Sequence, residues 1–154
     1  MSLAPYDRTP KEIVQAMLSL AEVKPGELLV DVGCGDGAIL LEAAKLGARA
    51  VGVDYERELV MKAYAEAASE NLARQVQVVL GDYKSVRLSS ADVVTLYLTS
   101  QGNAKVFEKL QTERRKKVRV VTHDFPLPGI SSVKTVKVAY TPFDRRVIHL
   151  YVLP

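Results

Sequence analysis

Hydrophobic and polar positions along the chain follow two alternating rhythms. Ile13, Val14, Met17, Leu18 and Ala21 recur at helical spacing, which predicts an amphipathic helix over about residues 10–22 with one face turned to a core. Thr9-Pro10-Lys11-Glu12 is a start signal for that helix. In it Thr9 is the N-cap, Glu12 reaches back to it and Pro10 takes the first helical position. Beyond Pro25-Gly26, residues 28–32 form a short apolar run that reads as a strand, then a Gly-rich turn, then a helix over 38–46 stopped by Gly47. The unit repeats: strand 50–54, helix 57–72, strand 76–80, strand 92–97, helix 103–115 and strand 118–122. Two strand-like runs, 132–140 and 146–153, close the chain around Thr141-Pro142-Phe143-Asp144 with no helix between them.

Strands that alternate with helices need crossovers, and right-handed crossovers put helices on the faces of a parallel sheet. The expected fold is therefore α/β: a doubly wound, mostly parallel sheet with helices on both faces and a C-terminal antiparallel hairpin. Its 154 residues, 48% hydrophobic and 25% charged, suit a single domain over residues 1–154, with 1–24 as arm and first helix and 25–154 as core. One Cys and two His leave no disulfide framework and no tetrahedral zinc set, so neither a metal nor a staple is expected. No apolar run approaches the ~18 residues of a membrane span, and residues 1–10 lack a signal peptide's apolar segment. A reducing, cytoplasmic location without a membrane partner is the expectation. The formal charge of +3 weakly favours acidic partners without identifying a nucleic-acid binder.

The chemistry concentrates at Asp31-Val32-Gly33-Cys34-Gly35-Asp36-Gly37, between the first core strand and its helix. Bare glycine backbone there lets a ligand approach, and free helix N–H groups face it. Asp54 closes the next strand, where a doubly wound nucleotide site places an acid to hold ribose hydroxyls. The spacing Gly33-x-Gly35-x-Gly37 departs from the dehydrogenase pattern, and no Gly-Lys-Ser/Thr supplies a triphosphate loop. Asp31 and Asp36 would repel a pyrophosphate but suit a ligand carrying an ammonium and a sulfonium. These residues, with Gly81-Asp82 after the third core strand, resemble the signature of class I S-adenosylmethionine (SAM) methyltransferases. The resemblance implies that Gly33, Cys34, Gly35 and Gly37 approach the methionine portion of SAM. It implies further that Asp31 serves the amino group, Asp54 with Tyr55 the ribose, and Asp82 with Tyr83 the adenine.

Acceptor chemistry belongs at the carboxyl ends of the fourth and fifth core strands. Tyr97-Leu98-Thr99 lacks the Asn/Asp-Pro-Pro-Tyr/Phe segment found there in enzymes that methylate exocyclic amines of bases. Tyr6-x-x-Thr9-Pro10, Tyr97-Leu98-Thr99 with Asn103, and Val121-Thr122-His123-Asp124-Phe125 together resemble the small archaeal protein-lysine methyltransferases and their mitochondrial relatives. That resemblance implies protein substrates with lysine side chains as acceptors, and Thr9 among the cofactor contacts. On this reading Tyr97 and Phe125 line a lysine channel, while Tyr6, Thr99, His123 or Asp124 orients the amine or takes its proton. The basic run Lys109, Arg114, Arg115, Lys116, Lys117 and Arg119 supports RNA as the second choice of substrate, and a SAM- or dinucleotide-binding module without catalysis is a third reading. His149, in the hairpin, is expected to be structural.

Overall fold

Apolar, Val-rich runs become the central buried strands of one sheet in the computed structural model, which describes residues 8–154. In chain order the elements are α1 (Lys11–Leu20), β1 (Leu28–Val32), α2 (Ala38–Lys45), β2 (Arg49–Asp54), α3 (Arg57–Ser69) and β3 (Val76–Leu80). After them come β4 (Val93–Leu96), α4 (Ser100–Glu113), β5 (Val118–His123), β6 (Lys134–Thr141) and β7 (Asp144–Leu153). The sheet runs β3-β2-β1-β4-β5-β7-β6. The first five strands in that order are parallel, and β7 pairs antiparallel with β5 and with β6. The expected α/β fold with its terminal hairpin is the observed one.

Each face of the sheet has its own core. Ile13 and Met17 of α1, Leu40 and Ala44 of α2, and Val60 and Ala63 of α3 cover one face. Val106 and Leu110 of α4 pack the other with Leu88, Leu127 and Tyr151. Tyr151 is fully buried, and its hydroxyl oxygen accepts the Leu127 N–H at 3.0 Å. Tyr151→Phe would leave that N–H without a partner in the core, an expected loss of about 1–3 kcal/mol. Urea unfolding should show it as a lower midpoint at unchanged m.

Element ends differ from the sequence expectation for local reasons. Thr9 does not cap α1: Pro10 is the N-cap residue, with extended backbone at ψ 149° and no side-chain cap. The Pro10 carbonyl instead accepts from Ile13 and Val14, both at 3.0 Å, so the helix starts one residue later than the capping pattern requires. α3 stops at Ser69 because Asn71 takes a left-handed φ of 59° and Leu72 bonds back to the Ala67 carbonyl. α4 starts at Ser100 rather than Asn103, since Thr99 Oγ1 accepts the Gly102 N–H at 3.1 Å and caps it. The hairpin strands zip down to Thr141↔Asp144, leaving only Pro142 and Phe143 in the turn.

The chain runs β1→β2→β3 to one side of the sheet and β4→β5 to the other, so the order reverses between β1 and β4. Open α/β sheets bind ligands in the crevice at the carboxyl ends of such a pair. β7 reaches beyond this edge. Its last pair with β5 is His123↔Ile148, Val147 is bonded to Asp124 just past β5, and Asp144–Arg146 continue alongside β6.

Candidate active site

Asp31 lies on β1, in register with Thr95 on β4, and Thr95 Oγ1 donates to its carboxylate at 2.9 Å. Asp31 is buried, and burial pushes its carboxyl up to about 7, against the Thr95 hydrogen bond and with the help of the Asp54 charge. A carboxylate held this dry, with one neutral donor, is suited to a cationic ligand group.

The glycine loop then turns over β2. Gly33 and Cys34 both donate their N–H to the Val53 carbonyl, at 2.8 and 3.0 Å, and Gly35 donates to Asp54 Oδ2 at 2.9 Å. Asp54 Oδ1 takes the Glu56 N–H at 2.9 Å, so this acid ties the loop to the start of α3. Each of its oxygens keeps acceptor capacity for a ligand hydroxyl. Gly33 has φ 80° and Gly37 φ 87°, left-handed values that favour glycine. A Cβ on Gly33 would also stand 2.9 Å from Leu98 Cδ2. The Cys34 thiol is buried and pushed well above its ordinary range by burial and by the carboxylates of Asp31, Asp54 and Asp36. It fills space between loop and sheet rather than acting as a nucleophile.

Asp36, also buried, pairs with Arg8 at 3.5 Å. Thr9 sits beside that pair in a groove of about 450 Å³ lined by Arg8, Asp36, Ala38, Lys62 and Glu66 among others. At the far side of β2, Tyr55 is exposed. Asp82 caps the short 3₁₀ turn Tyr83–Ser85 by accepting the Lys84 N–H at 2.9 Å, and half-buried Tyr83 packs against the core.

The carboxyl ends of β4 and β5 form the second half of the site. Tyr97 stacks on His123 with ring centroids 3.8 Å apart and planes 27° apart. His123 is fully buried. Asp124 has φ 65°, and its Oδ1 accepts the Val147 N–H at 3.1 Å, ending the β5–β7 ladder with a side chain. Phe125 is 43% exposed at the crevice. Its carbonyl accepts from Asn103 Nδ2 at 2.7 Å, so buried Asn103 fastens α4 to the segment after β5. His149, expected to be structural, is bonded to Thr135 Oγ1 at 3.1 Å and to the Asp124 carbonyl at 3.3 Å. Tyr6 lies outside the described residues.

The structure therefore gathers Asp31, Gly33, Cys34, Gly35, Gly37 and Asp54 at one end of the crevice, and Tyr97, Thr99, His123, Asp124 and Phe125 at the other. It gives Thr99 a cap to form, and it buries His123 behind Tyr97. Sequence reasoning does not single out Thr95 or Arg146 as site candidates, and it quotes Asn103 as part of a motif without giving it a role. Arg146 carries a signal all the same: strand alternation puts Asp144, Arg146 and Ile148 on one face of the hairpin.

Much of the basic run is neutralised. Lys116 pairs with Asp92 at 2.8 Å, Arg119 with Glu27 at 2.6 Å, and Lys109 with Glu113. Among the described residues no group of three His, Cys, Asp or Glu could hold a metal, and no helix is long and apolar enough to cross a membrane.

A switch-point carboxylate, a glycine loop and a β7 inserted antiparallel beside β5 define the class I methyltransferase fold. Within that class, residues 31–134 match the ANTKMT methyltransferase domain, and the chain belongs to this family. It is 34% identical to a protein-lysine N-methyltransferase of Saccharolobus islandicus, over 97% of this chain and 93% of that protein. It is 33% identical to the adenine nucleotide translocase lysine N-methyltransferase of Mus musculus, over 86% of this chain but only 58% of the mouse protein. A solved RNA methyltransferase from Salinibacter ruber, in complex with S-adenosyl-L-homocysteine, superposes with a TM-score of 0.89 at 34% identity. That alignment covers 96% of this chain and 94% of the other.

Proposed function

We propose that this chain is a SAM-dependent methyltransferase acting on lysine side chains of proteins. The observation that carries the reading is the desolvated Asp31 carboxylate beside the glycine loop, a seat fitted to an ammonium. Identity along nearly the whole chain to an archaeal protein-lysine enzyme supports lysine as the acceptor. Gly33, Cys34, Gly35 and Gly37 would lie along the methionine portion, with Thr9 at the loop's flank. Asp54 with Tyr55 would hold the ribose, and Asp82 with Tyr83 the adenine. We take residues 1–154 as one domain working in the cytoplasm.

SAM held at this site would supply an electrophilic methyl to a neutral lysine amine and depart as the neutral thioether, the surplus amine proton going to solvent. The chain's task is to bring the amine in neutral and aligned. Lowering a lysine from pKa ~10.4 to ~7 corresponds to over 4 kcal/mol, much of which desolvation in a narrow apolar channel supplies. Tyr97 and Phe125 are the walls for it. Holding amine and methyl at ~3–3.5 Å adds an alignment advantage of about 7–11 kcal/mol. With His123 buried and the Asp124 carboxylate engaged by β7, a strong general base is not required, and Thr99 and Asp124 orient the amine rather than deprotonate it.

RNA as substrate is the second reading, favoured by the name of the Salinibacter relative. The carboxylate partners of Lys109, Lys116 and Arg119 weaken it, because a phosphate-binding patch needs its cations available. Incubation of the protein with cell extract and methyl-tritiated SAM tests the choice. Label that survives ribonuclease, is lost to protease and appears as methyl-lysine after hydrolysis is expected. Label lost with ribonuclease, from a reaction that falls steeply with added salt, would overturn the lysine reading.

A further inference from the structure

Resting on the lysine-transfer reading, we infer that Arg146 is a positioning residue of the acceptor end: it locks the Tyr97–His123 stack and fixes which nitrogen of His123 bears the proton. Arg146 lies on the part of β7 that projects beyond β5, in register with Val138 of β6. Its Nη1 is 3.0 Å from the Tyr97 hydroxyl oxygen and 3.1 Å from His123 Nε2. Asp124 Oδ2 is 3.5 Å from the same nitrogen, and Nε donates to Asp144 Oδ1 at 3.2 Å. The guanidinium side chain is only 15% exposed.

A guanidinium has donors and no acceptor. Both short contacts of Nη1 therefore run from arginine outward, and His123 Nε2 must offer its lone pair. Its ring proton then sits on Nδ1. Asp124 Oδ2, 3.6 Å from Nε2, is too far to take a hydrogen bond from it. One planar fork thus holds a phenol from just after β4 and an imidazole from the end of β5 in a fixed stack, while two carboxylates hold the fork. The wall of the lysine channel is set from behind by the hairpin. A lysine at 146 would offer a point charge on a flexible stem and reproduce only part of this.

The experiment combines kinetics with nitrogen NMR. In the wild-type protein, long-range proton–nitrogen spectra of His123 should show Nε2 unprotonated and the proton on Nδ1, without cofactor or substrate. Arg146→Met should erase that single-tautomer signature. It should also lower kcat for lysine methylation by roughly 10- to 100-fold, while the SAM dissociation constant stays within twofold. Arg146→Lys should fall between, and added guanidinium should recover part of the Arg146→Ala activity. Combined with Tyr97→Phe, the loss should be smaller than the product of the two single losses, because both substitutions break one contact. A proton on His123 Nε2 in the wild type, or Arg146→Met and Arg146→Lys both transferring methyl at wild-type rates, would overturn the inference. A wild-type protein that shows the Nδ1 tautomer but methylates no lysine would instead count against the functional reading.

Discussion

Asp31→Asn is expected to weaken SAM binding about 10- to 100-fold while raising the thermal midpoint of the protein without ligand. The first effect follows from losing a charge-assisted hydrogen bond to an ammonium, worth ~1.5–3 kcal/mol. The second follows from burial. The folded-state carboxyl titrates at about 7 instead of 3.8, so between those pH values the native state holds a proton that the unfolded state has released. Stability from this group is present at pH 4 and is lost as pH rises toward and through 7. Asparagine removes that dependence, so the stabilisation by Asp31→Asn should grow with pH across the same window. Ligand affinity runs the other way: wild-type binding should strengthen from pH 5.5 to 7.5 as Asp31 ionises, and the variant should be flat. Calorimetric titration and thermal unfolding at several pH values check both trends.

Gly52→Ala is expected to destabilise the protein by about 1–3 kcal/mol, the usual range for overpacking a well-filled core, and to weaken SAM binding with it. Gly52 sits in the middle of β2, paired with Asp31 across β1 and with Val78 across β3. A Cβ there would meet Leu40 Cδ1 at 2.5 Å and both Cβ and Sγ of Cys34 at 2.7 Å. Leu40 has rotamers to spend, but Cys34 Cβ is fixed by the loop backbone, whose N–H is bonded to Val53. The strain therefore passes into the cofactor loop instead of dispersing. Cys34→Gly in the same chain should recover part of the affinity by removing two of the three clashes. Fluorescence-monitored urea unfolding and SAM titration of the single and double variants measure the two effects.

The elements and their order were legible because each is a local pattern: short Val-rich runs, those of β1 and β3 closed by glycine, and apolar residues at helical spacing. The half proposed for the cofactor was legible as a cluster for the same reason, since Asp31 through Gly37 are contiguous and Asp54 ends the next strand. What could not be read was anything that depends on register. Thr95 meets Asp31 across 64 residues, and nothing in either segment's composition names the other. The acceptor half is assembled wholly in this way, with Arg146 meeting Tyr97 across 49 residues and His123 across 23. His123 looked like a chemical group in the sequence, and the fold buries it and stacks it on Tyr97. Thr9 read as a helix cap and Thr99 as a site residue, yet Thr99 caps its helix and Thr9 does not, because extended Pro10 takes the cap position. The basic run likewise looked like a patch until Asp92, Glu27 and Glu113 came beside it from distant turns and from its own helix.

Whether the chain moves methyl groups to lysine through the Asp31 seat is decided by tandem mass spectrometry of cellular protein incubated with trideuteromethyl SAM and either the wild-type chain or Asp31→Asn. Deuterated methyl groups are expected on lysine ε-nitrogens with the wild type, and a large loss of them with the variant at limiting SAM. Labelled lysine made equally well by Asp31→Asn, or no labelled lysine from a wild-type protein shown to bind SAM, would contradict that mechanism.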